Sequence, residues 1–247
     1  MPLSRFYDTM KHKLTAVCLP LAALLWAFFA LSGCGKANRD VSATLDRAEK
    51  LMSEYPDSAY RMLRDMKGKA ESLPTALRMK HLLLLGNAQN KADILFTSDS
   101  LGKTLAEYYR DHGTANERML AHYVQGCAYR DMKEWPAAVR CFNDAVAAAD
   151  TSSADCDSLQ LSIIYGQLGY LYDVQYLLEE SLKAYRNAER YAPDTFVVLN
   201  LRDHISNILF RKGDIQQGLE IKDSIIRSSR ARGDYQSAAI FKVKCIK

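Results

Sequence analysis

Apolar side chains recur at intervals of three and four residues through most of the chain after Asp40. Between residues 135 and 149 they occupy Ala138, Val139, Phe142, Ala145, Val146 and Ala149. This spacing places apolar side chains on one face of an α-helix, whereas a half-buried strand would alternate them with polar ones. No alternating stretch long enough for a strand follows Asp40, so the pattern predicts an all-α chain.

Cap-forming and helix-breaking residues divide this pattern into short helices. Asp57-Ser58, Asp194-Thr195 and Asp214 stand at helix starts, and proline or glycine marks most of the breaks. Eleven helices are predicted, over residues 40–54, 57–69, 74–94, 98–112, 115–132, 135–150, 157–175, 177–192, 195–212, 215–231 and 234–246. Because the connecting loops are short, neighbouring helices are expected to pack antiparallel.

The first 33 residues follow a different pattern. Arg5, Lys11 and Lys13 precede an apolar run of 18 residues, 14–31, which ends in small residues directly before Cys34. A basic start, an apolar stretch and small residues before a cleavage point are typical of a secretory signal peptide. A run of this length is also compatible with one uncleaved membrane-spanning helix. Pro20 inside the run, and its end at a cysteine, favour cleavage.

The sequence Leu31-Ser32-Gly33-Cys34 resembles the box at which bacterial lipoproteins are modified and cut. The resemblance implies that residues 1–33 are removed, that Cys34 carries a thioether-linked lipid with fatty acids such as palmitate, and that 34–39 is a short linker. Two or more acyl chains anchor a protein stably, whereas one chain holds it only marginally. The predicted location is the bacterial cell envelope, on the outer membrane or a periplasmic face rather than in the cytoplasm.

Residues 162–195 contain the clearest repeated pattern. Its marker residues are Tyr165, Leu168, Gly169, Tyr172, Ser181, Tyr185, Ala188 and Pro193. Their order and spacing closely resemble the 34-residue tetratricopeptide repeat (TPR), a pair of antiparallel helices. Only Ser181, where alanine is usual, departs clearly from the pattern. Residues 119–152 show the pattern more weakly.

Two further segments, 79–114 and 199–232, keep only an outline of the repeat. The glycine-equivalent positions are Gly86, Gly126, Gly169 and Ser206. The resemblance implies that residues 40–247 form one repeat domain, an α-solenoid of antiparallel helix pairs in a TPR-like superhelix, with about 10–11 helices after the signal peptide. A generic helical bundle is the alternative.

Glycine and aromatic residues are expected to control how the helices of a pair meet. Gly169 faces Ser181 in this prediction, and the missing side chain allows the two backbones to approach closely. Aromatic residues then fill the space toward the next pair, with Tyr185 against Tyr172 and Phe142 against Tyr129. In 79–114 the small position opposite the glycine is contested, since Ser98 and Ser100 both fit.

The charge balance argues against a nucleic-acid partner. The 247 residues include 33 Lys and Arg against 29 Asp and Glu, a net charge of +4. Removing residues 1–33 leaves 30 basic and 28 acidic residues, with no basic stripe of the kind that binds nucleic acid.

No motif of catalysis or metal binding is present in the sequence. The histidines after residue 33 are not spaced as metal ligands, and neither a phosphate-binding glycine loop nor a nucleophile elbow occurs. The prediction is therefore no enzyme, no metal and no cofactor. Four cysteines, Cys127, Cys141, Cys156 and Cys245, are interpreted as free thiols, although an oxidising compartment would permit disulfides.

The TPR resemblance also implies where a partner would bind. In this family the first helix of each pair lines a concave groove, and repeat positions 2, 5, 9, 12 and 13 point into it. The predicted partner-binding residues are Lys80, Asn87, Lys91, Tyr123, Arg130, Tyr170, Asp173, Asn207, Phe210 and Arg211. The same positions include Ile163, Gly166, Asn200 and Asp203. Lys80, Asn87, Lys91 and Arg130 partly resemble the family's carboxylate-binding clamp. A solvated wall with core-packing aromatics is the alternative.

The combined prediction is a membrane-anchored helical-repeat scaffold that binds protein or peptide partners in the cell envelope, as the sensory or interaction part of a signalling system. An outer-membrane assembly factor is one alternative, and a glycan-binding accessory lipoprotein of a transport system is another. Glycan sites usually contain clustered exposed aromatics, and Trp135 is the only tryptophan after residue 33. This counts against glycans.

Overall fold

The structure, a computed structural model, describes residues 39–233. The predicted signal peptide, Cys34, Cys245 and the predicted helix 234–246 lie outside these residues. Within the described range the chain forms eleven helices and no strand, which confirms the predicted all-α class. The helices are α1 (39–51), α2 (Pro56–Asp65), α3 (Lys67–Ala70), α4 (Thr75–Lys91), α5 (Ser100–His112), α6 (Ala115–Asp131), α7 (Trp135–Ala148), α8 (Ser158–Val174), α9 (Leu178–Tyr191), α10 (Thr195–Lys212) and α11 (Ile215–Ala231).

Ten of the predicted helices fall in the described range, and each has a counterpart there. The segment 57–69 differs, because it divides at Met66 into α2 and α3. Local capping explains several starts: the side chains of Asp157 and Asp194 accept hydrogen bonds from the third residues of α8 and α10. Thr114 and Glu117 form a reciprocal capping box at the start of α6.

The first helices of the four predicted repeats all end in the same way. Asp93, Lys133, Tyr176 and Gly213 have positive φ values of 54°, 63°, 61° and 89°. In each case the next backbone N–H donates to the carbonyl oxygen five residues earlier, the bond of a Schellman cap. These residues are spaced by 40, 43 and 37, the same intervals that separate Gly86, Gly126, Gly169 and Ser206. The first helices of the strong and the weak predicted units therefore end with the same cap.

The described residues divide into two compact units, and the boundary between the units follows Leu84, inside α4. In the described part of the first unit, the buried side chains include Leu45, Leu63 and Met79 from α1, α2 and α4. The imidazole of His81, fully buried, donates from Nε2 to the Leu63 carbonyl oxygen at 2.8 Å. This bond joins α4 to α2.

In the second unit each helix from α5 to α10 packs against the next one in the chain. This sequential stacking is the architecture of an α-solenoid. The pairs α6–α7, α8–α9 and α10–α11 correspond to the predicted repeats 119–152, 162–195 and 199–232. No helix within 39–233 combines the length and apolar character that crossing a bilayer requires.

Glycines on the first helices form recesses for aromatic rings of the second helices. A Cβ atom on Gly126 would lie 2.5 Å from the Phe142 ring, and one on Gly169 would lie 2.9 Å from the Tyr185 ring. The hydroxyl of Ser181 donates to the Gly169 carbonyl at 2.8 Å, as the expected close approach of these residues requires.

The ring contacts differ from those that the sequence suggested. Phe142 contacts Tyr123, with centroids 5.9 Å apart, and Tyr185 stacks on His204 at 5.0 Å, so neither pairs with the expected Tyr129 or Tyr172. The Phe142 ring lies in the recess at Gly126, and the Tyr185 ring lies in the recess at Gly169.

The contact between α5 and α6 depends on a glycine that the sequence analysis did not single out. A Cβ atom on Gly102 would lie 2.5 Å from the Cα atom of Gln125, so the two backbones almost touch. Ser98 and Ser100, the expected candidates for the small position opposite Gly86, bond to each other at 2.8 Å where α5 begins. The α5 side chain that a Cβ atom on Gly86 would meet is Leu101, at 3.3 Å.

Candidate functional site

Hydrogen bonds that converge on Arg130 join the first helices α4, α6 and α8. Its Nη2 donates to Asn90 Oδ1 at 2.9 Å, its Nη1 to Gln167 Oε1 at 2.8 Å, and its Nε to Asp131 Oδ1 at 2.9 Å. We call Asn90, Arg130, Asp131 and Gln167 the Arg130 ladder. Because all three guanidinium nitrogens have internal partners, the ladder ties adjacent helices together.

Tyr123 extends this ladder into the core. The side chain is 3% exposed, and its hydroxyl accepts a hydrogen bond from Asn90 Nδ2 at 2.9 Å. Burial raises the pKa of Tyr123 well above its ordinary value, so the phenol stays neutral. Asp131 Oδ2 accepts from the Phe96 backbone N–H at 3.0 Å, which fixes the loop after α4. Tyr123 and Arg130 were both predicted to bind a partner. In the structure their polar groups join α6 to the neighbouring first helices.

The other three predicted residues of the N-terminal half have different surroundings. Lys80 belongs to the first unit, and its Nζ lies 2.8 Å from Asp46 Oδ1 and 3.9 Å from Glu49 Oε2. Asn87 is 7% exposed, and Lys91 is half-buried at the end of α4. The carboxylate-binding clamp stays a prediction, since Lys80 and Arg130 already have acidic neighbours.

Asp173 and Arg211 form an ion pair between α8 and α10. The guanidinium carbon of Arg211 also lies 5.1 Å from the centroid of the Tyr176 ring, in a cation–π contact. The two side chains are 29% and 38% exposed, and ion pairs at such sites contribute about 0–1 kcal/mol. The pair therefore positions the two helix ends more than it stabilises them.

The other predicted partner-binding residues of α10 contact side chains of α10 itself and of α11. Asp203 is buried and forms an ion pair with Lys222 of α11, which is an unexpected location for a groove residue. Asn207 Nδ2 lies 3.5 Å from Asp203 Oδ2. The half-buried ring of Phe210 packs where a side chain on Gly218 would otherwise lie. In this pair the aromatic residue is on the first helix and the glycine on the second.

A cavity of about 410 Å³ lies between α8 and α10, with Tyr185 of α9 among its walls. It is lined by Ser162, Ile163, Gly166, Gln167, Tyr170, Tyr185, Val197, Asn200, Leu201 and His204. Tyr170 is 51% exposed, whereas Tyr185 is buried beneath His204. No aspartate, glutamate, lysine or arginine lines the cavity. Apolar walls with a few amide and hydroxyl groups are typical of ligand-binding pockets.

Four predicted inner-wall positions, Ile163, Gly166, Tyr170 and Asn200, meet in this cavity. The sequence did not predict that Gln167, His204 and Tyr185 would also line this cavity. A signal for two of them exists, since Gln167 and His204 follow Ile163 and Asn200 by four residues and share their helix faces.

Burial governs the protonation of several cysteines and of one histidine. Cys127, Cys141 and Cys156 are free thiols. Burial raises the pKa of Cys127 to about 12 and that of Cys141 to about 11, so both remain protonated at neutral pH. Burial also lowers the pKa of His122, whose imidazole is therefore neutral at pH 7. Within 39–233, no three His, Cys, Asp or Glu side chains converge as metal ligands would.

Comparison with known proteins identifies the fold. MamA from Desulfovibrio magneticus RS-1, solved from its residue 41 to its end, superposes with a TM-score of 0.52 at 18% identity, covering 77% of this chain and 96% of the solved chain. The apo form of RapI gives a TM-score of 0.65 at 13% identity and covers 83% of this chain. This chain spans only 58% of RapI. A kinesin light chain from Podosopora anserina with TPR-like repeats gives 0.58 at 13% identity, over 78% of this chain and 96% of that one.

No protein-family profile and no curated protein sequence matches the chain. At these identities the structural similarity establishes the fold and nothing further. The fold is that of a TPR-like helical-repeat solenoid, which agrees with the repeat register of the Schellman caps.

Proposed function

We propose that this chain is a non-catalytic scaffold that binds a segment of a protein or peptide partner in the cavity between α8 and α10. The observation that supports the proposal most directly is the half-exposed Tyr170 on the first-helix face, beside a cavity that no Asp, Glu, Lys or Arg lines. Tyrosines with large exposed area near a recess are frequent anchors of protein interfaces. A wall fixed by the Arg130 ladder would reduce the conformational entropy lost on binding.

The proposed location is the bacterial cell envelope, where lipid on Cys34 would hold the repeat domain at a membrane. The support for this location is the basic, apolar and small-residue sequence of 1–33 followed by cysteine. A partner that shares the membrane would meet the cavity at a raised effective concentration. A role in signalling fits such a tethered scaffold.

Lipid attachment at Cys34 is tested by labelling cells with radioactive palmitate. The native chain should carry the label, and Cys34→Ala should lose it and stay with the signal peptide uncleaved, because the lipid is attached before cleavage. Cys156→Ala, at a half-buried cysteine of the repeat domain, is the matched control and should label normally. Labelling of the Cys34→Ala chain would rule out this anchor.

Partner binding is tested by replacing Tyr170 with the photo-crosslinking residue p-benzoylphenylalanine in the full chain. Illumination of native membranes should link a distinct protein at this position, and mass spectrometry would identify it. The same replacement at Arg186, exposed on α9 and outside the cavity, is the control and should not capture that protein.

The identity of the captured protein separates the alternatives. A regulator or receptor would support signalling, and outer-membrane proteins in transit would support the assembly factor. If position 170 captures no protein while purified oligosaccharides protect the cavity, the scaffold proposal fails in favour of glycan binding.

A further inference from the structure

Gly166 lies in the interior of α8, where glycine is less favourable than alanine because it loses more backbone entropy on folding. Packing explains the first-helix glycines Gly86, Gly126 and Gly169, since a Cβ atom on any of them would lie within 3 Å of a neighbouring side chain. A Cβ atom on Gly166 would contact nothing within 4 Å, and its φ lies outside the left-handed region. Neither packing nor backbone conformation requires glycine at this position.

The space beside Gly166 is part of the cavity between α8 and α10. Ile163 and Tyr170 precede and follow Gly166 on the same face of α8, and Val197 lines the cavity from α10. A side chain at residue 166 would occupy room that is now open to a ligand. Glycine at this point allows a ligand to approach the helix backbone closely.

Two amide side chains of the cavity offer complementary hydrogen-bonding groups. Gln167 accepts the Arg130 bond through Oε1, which leaves its Nε2 group as a donor. Asn200 donates through Nδ2 to the Phe196 carbonyl at 3.1 Å, which leaves its Oδ1 as an acceptor. One donor and one acceptor match the C=O and N–H groups of a peptide backbone.

We infer that Gly166 determines specificity, by admitting one large apolar side chain of an internal, uncharged segment of the partner while Gln167 and Asn200 bind its backbone. This inference rests on the proposed function. The cavity lining contains no carboxylate, ammonium or guanidinium group, which disfavours a chain terminus or a charged side chain, because its charge would be desolvated without a strong counter-charge. The bound group is therefore a capped peptide unit with an apolar side chain.

The experiment uses N-acetyl-phenylalanine methylamide as the probe, with the lysine and glutamate analogues and free phenylalanine for comparison. Amide resonances of the detergent-solubilised full chain are followed by NMR during titration. The phenylalanine amide should shift resonances of α8 and α10. The charged analogues and the free amino acid should bind at least about tenfold more weakly, since the pocket has no carboxylate, lysine or arginine to pair with their charges. Equal binding of the charged probes would overturn the inference.

A small side chain at residue 166 should preserve or raise the stability of the protein while it weakens binding of the probe. Gly166→Ala should raise or preserve the melting temperature, because alanine favours the helix, and should weaken binding about tenfold through the added methyl group. Gly166→Leu should abolish binding. Gly68→Ala is the matched control, because its Cβ atom also meets nothing within 4 Å but lies in α3, and the probe should bind it unchanged. Unweakened binding to Gly166→Ala would contradict the inference.

The two proposals fail in different ways. Adding Gly166→Leu to the photo-crosslinking experiment should abolish capture at position 170. Undiminished capture would disprove the role of Gly166 and leave the scaffold function intact. Absence of any captured protein with glycine at 166 would disprove the scaffold function itself.

Discussion

Replacing Lys222 with alanine should lower the free energy of unfolding by about 3–5 kcal/mol. The Lys222 side chain is 1% exposed and its partner Asp203 is 6% exposed, so this ion pair is removed from water. The variant would keep the Asp203 carboxylate buried without the facing ammonium group, and desolvating a charge is costly. Urea denaturation followed by circular dichroism measures the loss.

Two variants show whether the buried charge causes this effect. Removing both charges, with Asp203→Asn and Lys222→Met together, should restore much of the stability, because well-packed neutral residues often replace buried ion pairs without loss. Lys103→Ala breaks an exposed pair with Asp99 and should leave stability close to that of the parent, because solvent screens exposed ion pairs. A Lys222→Ala protein as stable as the parent would show that the pair is not buried as described.

The second large effect is expected for Phe142→Ala, at about 3–5 kcal/mol of unfolding free energy. Phe142 is fully buried, and its ring lies in the recess that Gly126 leaves between α6 and α7. Truncation removes the ring from this recess and from its contact with Tyr123. The cost therefore combines lost apolar burial with an unfilled cavity.

A double-mutant cycle tests whether Gly126 and Phe142 act as one unit. Gly126→Leu alone should destabilise by about 1–3 kcal/mol through overpacking against the ring. In the Phe142→Ala background the same leucine enters vacant space, so the two changes should together cost less than their sum by about 0.5–3 kcal/mol. Chemical denaturation of the four proteins gives the coupling energy. If the losses of stability in the two single variants simply added, the Phe142 ring would not occupy a recess formed by Gly126.

The candidate site was predictable only in part. Helix periodicity predicts which face of a helix a residue occupies, but it does not predict which distant side chain that residue will bond to. Ile163, Tyr170 and Asn200 were placed on the first-helix face by repeat register, and they do line one cavity. Arg130 and Tyr123 were selected in the same way, yet their polar groups bond to helices about 40 residues away in sequence. No local pattern identifies such partners.

The sequence by itself determined the helices, their approximate ends and the repeat spacing. These features depend on interactions within a few residues, namely caps such as Asp157, apolar periodicity and the turns after each first helix. Tertiary structure decided which glycines receive aromatic rings, that Asp203 faces Lys222, and that Gly166 borders open space. Those outcomes depend on distances between helices, which depend on how all the side chains pack together and not on any one segment.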